Sequence, residues 1–201
     1  QVKLIAERPV RVLDEPGLTL YYSQDREFQR PKVAIQFKIR HPDSFVTLEN
    51  TVLKGLYADT VEEALNEIAY PARMAGLGYA VSAGTEGFYI TLSGYNESAL
   101  ELLDTIMEEL RAVTIPEDRF EALKDQVVRG LENFRKGDAW RIAREAKREI
   151  HNEIYFTPEQ RLEVVREVEL SDIRAFVGDL FAEGAIEALV HGNMTKDEAV
   201  S

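Results

Sequence analysis

Histidine is the residue type in this chain best suited to hold zinc, and it occurs three times, as His41, His151 and His191. A zinc site carried by one helix presents two histidines four residues apart on the same face. No two of these histidines are four residues apart. His41 precedes a proline, His151 follows a predicted helix and His191 ends a predicted strand. We therefore expect all three to be surface or structural residues.

The other residue types that support catalysis are equally scattered. Acidic pairs such as Glu62-Glu63 and Glu108-Glu109 lie on predicted helix surfaces, whereas a general acid and base would need a shared pocket. No serine lies in a nucleophile elbow, and no glycine-bearing turn is followed by the Gly-Lys-Ser/Thr of a phosphate loop. The chain has no cysteine, which excludes disulfides, thiolate nucleophiles and Cys-ligated zinc. The residues alone therefore predict no catalytic or metal site.

Length and charge narrow the remaining classes of protein. The chain has 201 residues and suits a single domain covering residues 1–201, although it does not begin with Met and we expect it to be a piece of a longer protein. Its formal net charge of −12 disfavours a nucleic-acid binder and binding to an acidic membrane surface. No run of 18 apolar residues is present, so we expect no membrane span.

The first part of the chain predicts strands and then a long helix. Residues 9–22 have the pattern of a hairpin that turns at residues 15–17, and residues 32–40 alternate apolar and polar side chains. A helical pattern then runs over residues 45–75, where Pro71 should introduce a kink.

The second part predicts another hairpin, several helices and a last strand. Residues 79–83 and 88–94 form the hairpin, and Ser98-Ala-Leu-Glu101 is a capping box that should start the next helix. Later helix starts are predicted from caps and prolines at Pro116, Asp138, Thr157-Pro158 and Ser171. The helix capped by Asp138 carries the apolar residues Trp140, Ala143 and Ile150, and residues 185–191 form the last strand.

This order of elements predicts an α+β domain. Because hairpins pair antiparallel strands, we expect a mostly antiparallel six-stranded sheet with the helices packed on one face.

Three stretches together resemble the pitrilysin/insulin-degrading-enzyme family of M16 zinc peptidases. They are ALNEIAYPARMAGLGYAVSAGTEGFYITLSGYNE, RFEALKDQVVRGLENFRKGDAWRIA and IEALVHGNMTK. The resemblance implies the M16 peptidase/LuxS-like metallohydrolase domain fold. It also implies a parent of four homologous domains, arranged as two bowl-shaped halves around a chamber, in which this chain is the third, non-catalytic domain.

The resemblance places the zinc site in the first domain of such a parent, as an inverted His-x-x-Glu-His motif with a distant Glu. The corresponding stretch here, LENTVLKGLYAD, has neither histidine. Glu132 is the counterpart of the distant Glu, and one carboxylate does not make a site. We therefore expect no metal and no cofactor in this fragment, and zinc in another domain of the parent.

The resemblance also singles out Arg73 and Tyr79, which lie around Leu77-Gly78-Tyr79. In the fourth domain of the family, an Arg and a Tyr around a Leu-Gly-Tyr reach the zinc site and assist the substrate. That pair is seven residues apart, whereas the pair here is six apart, and one residue of a helix rotates a side chain by about 100°. We therefore expect no catalytic residue here, with Arg73 and Tyr79 as the candidates if that expectation is wrong.

The function that the resemblance implies is a non-catalytic structural domain of a zinc metalloendopeptidase, inactive alone, that forms part of the second half of the chamber. One alternative is an inactive homologue that serves as an assembly module, and another is a half-site that supplies Arg73 and Tyr79 to a partner's zinc centre. The implied partners are the other domains of the polypeptide and the peptide substrates, with no nucleic acid and no membrane. The compartment stays open; bacterial relatives are often periplasmic, and the lack of cysteine is compatible with that.

Overall fold

The computed structural model describes residues 8–27, 30–41, 46–84 and 86–200, and they form one sheet covered by helices. The strands are β1 Val10–Glu15, β2 Leu18–Gln24, β3 Lys32–Arg40, β4 Gly78–Ala83, β5 Phe88–Tyr95 and β6 Ala185–Gly192. The helices are α1 Leu48–Ala64, α2 Asn66–Met74, α3 Asn96–Ala112, α4 Glu117–Glu132, α5 Ala139–His151, α6 Pro158–Val165, α7 Leu170–Glu183 and α8 Lys196–Val200. In this part of the chain, no helix is both long and apolar enough to cross a membrane.

The six strands form a mixed sheet in the order β1-β2-β6-β3-β5-β4. The expectation of a mostly antiparallel sheet was wrong, because β6 runs parallel to β2, with Leu20 opposite Ala188, and antiparallel to β3. A hairpin pattern predicts pairing only between strands that are neighbours in the chain. It could not show that the last strand enters the sheet between β2 and β3.

The helices cover one face of this sheet. On that face Ile35 of β3 lies opposite Leu92 of β5, and both side chains are buried. On the other face Gln36 lies opposite Thr91, and both are exposed. This alternation is the reason that the strands could be recognised from period-two patterns.

The predicted long helix is two helices, and its break is not at the proline. Pro71 lies inside α2, while the break falls at Leu65, between α1 and α2. The Tyr79 hydroxyl of β4 donates a hydrogen bond to the Leu65 carbonyl oxygen at 2.9 Å, so a contact distant in sequence satisfies the chain at the break. Residue 45, the predicted first residue of this helix, lies outside the described residues.

Several helices start at other residues than the sequence predicts, because the connection before a helix affects where the helix begins. The capping box expected at Ser98 does not form, because β5 runs directly into α3 with Tyr95 as its N-cap. Pro116 is the N-cap of α4 rather than its first residue, and α7 starts at Leu170 rather than Ser171. The start of α6 is confirmed, with a capping box formed by Thr157 and Gln160.

Aromatic rings join the helices to the sheet at the centre of the core. The Tyr57 ring of α1 packs edge-on against Phe88 of β5, with ring centroids 4.9 Å apart, and Phe176 of α7 lies 6.3 Å from Tyr57. The Tyr57 side chain is fully buried, and its hydroxyl donates to the Leu110 carbonyl oxygen at 2.6 Å. This single side chain therefore links α1, α3, α7 and the sheet.

Replacing this buried hydroxyl should lower stability through the hydrogen bond alone. We expect Tyr57→Phe to keep the ring packing and to reduce the free energy of unfolding by about 1–2 kcal/mol, because the Leu110 carbonyl loses its donor in the core. The matched control is Tyr70→Phe, which removes a hydroxyl from a ring that is 69% exposed and should change stability by less than about 0.5 kcal/mol. Urea unfolding of both variants measures the difference. Equal stability of the two variants would contradict the assignment.

Candidate functional site

The residues best placed for a polar function line a cleft between α1, the end of β4 and the α5–α6 segment. The cleft has a volume of about 590 Å³. Its charged and polar lining includes Thr51, Lys54, Gly84, Glu145, Arg148 and Arg161. Thr51 and Lys54 of α1 belong to LENTVLKGLYAD, the stretch that corresponds to the zinc motif in the family resemblance.

Lys54 brings a positive charge into the α1 side of this cleft. Its side chain is buried, and its Nζ donates to the carbonyl oxygen of Gly84, just after β4, at 2.9 Å. Burial lowers the pKa of the Lys54 ammonium, since removal from water disfavours the charged form. A metal site needs anionic or neutral donors facing inward, whereas this helix presents a cation.

Glu145 is a buried carboxylate shared by two arginines on the other side of the cleft. Arg161 of α6 donates from Nη2 to Oε1 of Glu145 at 2.6 Å, and Arg148 of α5 lies 3.2 Å from Oε2. Both carboxylate oxygens are therefore occupied by guanidinium groups. This arrangement attaches α5 to α6 and leaves no free base for proton transfer.

Glu132 does not belong to this cluster. It ends α4, is exposed, and forms an ion pair with Arg166 at 2.6 Å. The histidines are equally separate, because His41 lies near Glu183 at 3.4 Å while His151 and His191 are exposed on other elements. Over the described ranges, no group of three His, Cys, Asp or Glu side chains could hold a metal ion.

Arg73 and Tyr79 lie near each other at the junction between α2 and β4. Burial raises the pKa of the Tyr79 hydroxyl, and Glu62 adds to the rise while the positive charge of Arg73 opposes it. Tyr79 is half-buried, whereas Arg73 is exposed in the last turn of α2. The hydrogen bond from Tyr79 to Leu65 gives this hydroxyl a structural partner within the domain.

A family model described as the middle or third domain of peptidase M16 matches residues 1–164. The chain belongs to the M16 peptidase family. Human insulin-degrading enzyme is 33% identical over 192 residues, which are 96% of this chain and 19% of the relative. The A-factor-processing enzyme of Saccharomyces cerevisiae is 27% identical over 194 residues, again 96% of this chain and 19% of the relative. The chain thus spans about a fifth of the length of these M16 relatives.

Solved M16 structures have the same fold. A crystal structure of pitrilysin matches with a TM-score of 0.86 and 23% identity, over 97% of this chain and 21% of that one. A peptidase M16 inactive domain from Pseudomonas fluorescens matches with a TM-score of 0.72 and 17% identity, over 96% of this chain and 48% of that one. Both structures therefore share the fold of this chain.

Sequence reasoning missed the buried cluster around Glu145. Glu145 lies in a helix rich in charged residues, where a buried carboxylate looks like the exposed ones around it. The apolar residues of this helix, Trp140, Ala143 and Ile150, are all exposed in the structure. The available signal was the position of Arg148, three residues after Glu145, but it does not reveal Arg161 of the next helix.

Neutralising Glu145 should weaken the attachment of α5 much more than neutralising Glu132 affects α4. We expect Glu145→Gln to reduce the free energy of unfolding by about 1–3 kcal/mol, because Arg161 and Arg148 lose a shared carboxylate whose side chain is only 11% exposed. The matched control, Glu132→Gln, breaks an exposed ion pair and should cost at most about 1 kcal/mol. Denaturant unfolding gives the two values, and an equal or smaller loss for Glu145→Gln would refute the anchoring role.

Proposed function

We propose that this chain is a non-catalytic structural domain of a longer zinc metalloendopeptidase, and that residues 1–201 form one of four domains. In this proposal it is part of the second half of a chamber that encloses peptide substrates. Zinc is held by another domain of the parent, and the partners of this domain are the remaining domains of the polypeptide. Neither nucleic acid nor a membrane is a partner, and the domain alone hydrolyses no peptide.

The observation that best supports the proposal is the position of the Lys54 ammonium in the cleft. In the α1 stretch that corresponds to the zinc motif, the side chain in the cleft is an ammonium held by the Gly84 carbonyl. A cation at that place repels a second cation, so the fold is kept while the chemistry of the motif is replaced. The length shared with the relatives supports the rest, because a chain that spans a fifth of a peptidase fits one domain of it.

Tyr79 bears on the half-site alternative. A catalytic tyrosine would need its hydroxyl free to reach a reacting oxygen in another domain. Here the hydroxyl donates to the Leu65 carbonyl and closes the break between α1 and α2. This bond favours a structural role for Tyr79 over a role as a donor to a partner's zinc centre.

Metal content tests the proposal directly. We expect the full-length parent to retain about one equivalent of zinc per chain after dialysis and to lose peptide hydrolysis when a chelator is added. The 201-residue chain, treated in the same way, should hold well under one equivalent and should not hydrolyse a fluorogenic peptide above background, because its cleft offers Lys54 where ligands would be needed.

Two outcomes would overturn the proposal. One is stoichiometric zinc in the dialysed 201-residue chain. The other is a full-length parent that lacks zinc and activity, which would instead favour an inactive assembly module. The upstream sequence of the parent is an independent check, since the proposal requires a His-x-x-Glu-His motif there.

A further inference from the structure

Helix α5 is exposed along nearly its whole length. It spans Ala139–His151, and its one buried residue is the carboxylate-bearing Glu145. Three large apolar side chains of the helix face solvent: Trp140 is 58% exposed, Ile142 39% and Ile150 79%. An apolar residue normally faces the domain while a charged residue faces water, so α5 has the reverse arrangement.

The geometry of the helix places its apolar side away from the domain. At about 100° per residue, Ala139, Ala143, Ala146 and Ile150 fall within a sector of roughly 60°. The centre of that sector is rotated by about 130° from Glu145, which marks the side attached to α6. Trp140 and Ile142 flank the sector on its two sides. The apolar face of α5 is therefore not the face that contacts the rest of the domain.

Such a helix needs a second contact. A helix of thirteen residues is marginal by itself in water, and most helical stability in proteins comes from packing an amphipathic face. Within the domain α5 gains the ion pairs of Glu145 and a contact between the Arg144 guanidinium and the Trp140 ring, 4.9 Å from its centroid. Neither buries the apolar sector.

The charge of this segment indicates what covers it. Residues 134–151 contain six Lys or Arg and three Asp or Glu, in a chain whose formal net charge is −12. Lys147 borders the apolar sector on the side of Trp140, and Glu149 borders it on the side of Ile142. A surface that fits α5 therefore has an apolar centre, an acidic group opposite Lys147 and a basic group opposite Glu149.

The length of the parent identifies the occupant. The M16 relatives are about five times as long as the segment matched here, so most of the polypeptide lies outside this chain. We propose that the apolar face of α5, which is centred near Ile150 and flanked by Trp140, docks on an apolar patch of a neighbouring domain of the same parent polypeptide. This inference rests on the proposed function only in requiring that the chain be one domain of a longer protein.

Site-specific crosslinking in the full-length parent tests the contact. A photo-reactive benzophenone side chain is introduced at position 140 in one variant and at position 150 in another. The control carries it at position 70, because Tyr70 of α2 is 69% exposed and lies on another helix. We expect positions 140 and 150 to crosslink within one polypeptide to a common surface of another domain, and position 70 not to reach that surface.

Hydrogen exchange of the same full-length protein supplies the second readout. Trp140→Asp should speed exchange of the α5 amides at least tenfold, since the charge disrupts the docked face, whereas Tyr70→Asp should leave α5 unchanged. Crosslinks between two copies, crosslinks to lipid, no crosslinks, or unchanged α5 exchange in Trp140→Asp would each overturn the docking proposal. Zinc content and peptide hydrolysis of the unsubstituted parent report on the proposed function separately, so the two can fail independently.

Discussion

The pairing of β6 with both β2 and β3 is the constraint on which the rest of the structure depends. Among the described residues, β2 pairs with β1 and β6 and not with β3, so the hairpin of β1 and β2 is hydrogen-bonded to the rest of the sheet through β6. The Tyr22 hydroxyl adds a bond from β2 to the Met194 carbonyl, just after β6. Every helix from α1 to α7 lies between β3 and β6 in the chain, so the pairing of β3 with β6 joins strands that are far apart in sequence. Helix α7 and strand β6 lie beyond residue 164, so the strand that joins β2 to β3 follows the part of the chain that the family model matches.

The helices on this sheet have the M16 fold, and several polar side chains hold one element of the domain to another. Lys54 links α1 to the end of β4, Glu145 links α5 to α6, and Tyr79 closes the break at Leu65. Each of these contacts uses a side chain of a type that could act in catalysis. Each also engages that side chain with a partner inside the domain. A fold can be kept when a few polar residues change, because packing depends on the apolar residues and chemistry on those few polar ones.

The sequence was informative where a pattern is local. The alternation in β3, the second hairpin and the Thr157-Pro158 start of α6 depend on neighbouring residues, and the structure has them. The mixed sheet, the break at Leu65 and the buried Glu145 depend on partners far along the chain, namely β6, Tyr79 and Arg161. Helix α5 could not be oriented from its own pattern, because an apolar stripe predicts burial without saying which body buries it. The same limit applies to the candidate site. The sequence shows directly that LENTVLKGLYAD has no histidine, whereas only the tertiary structure shows that Lys54 lies in the cleft.

We propose that this domain supports the peptidase without taking part in its chemical step, and the turnover of one full-length variant tests that role most directly. The variant Arg73→Ala/Tyr79→Phe removes the guanidinium and the hydroxyl that the family resemblance connects with catalysis. A structural role predicts that kcat falls no more than a few fold, with the melting temperature lowered by loss of the Leu65 contact. Removal of a donor to a developing oxyanion costs on the order of 10²–10³ in kcat. A hundredfold fall in kcat with an unchanged melting temperature would contradict the account.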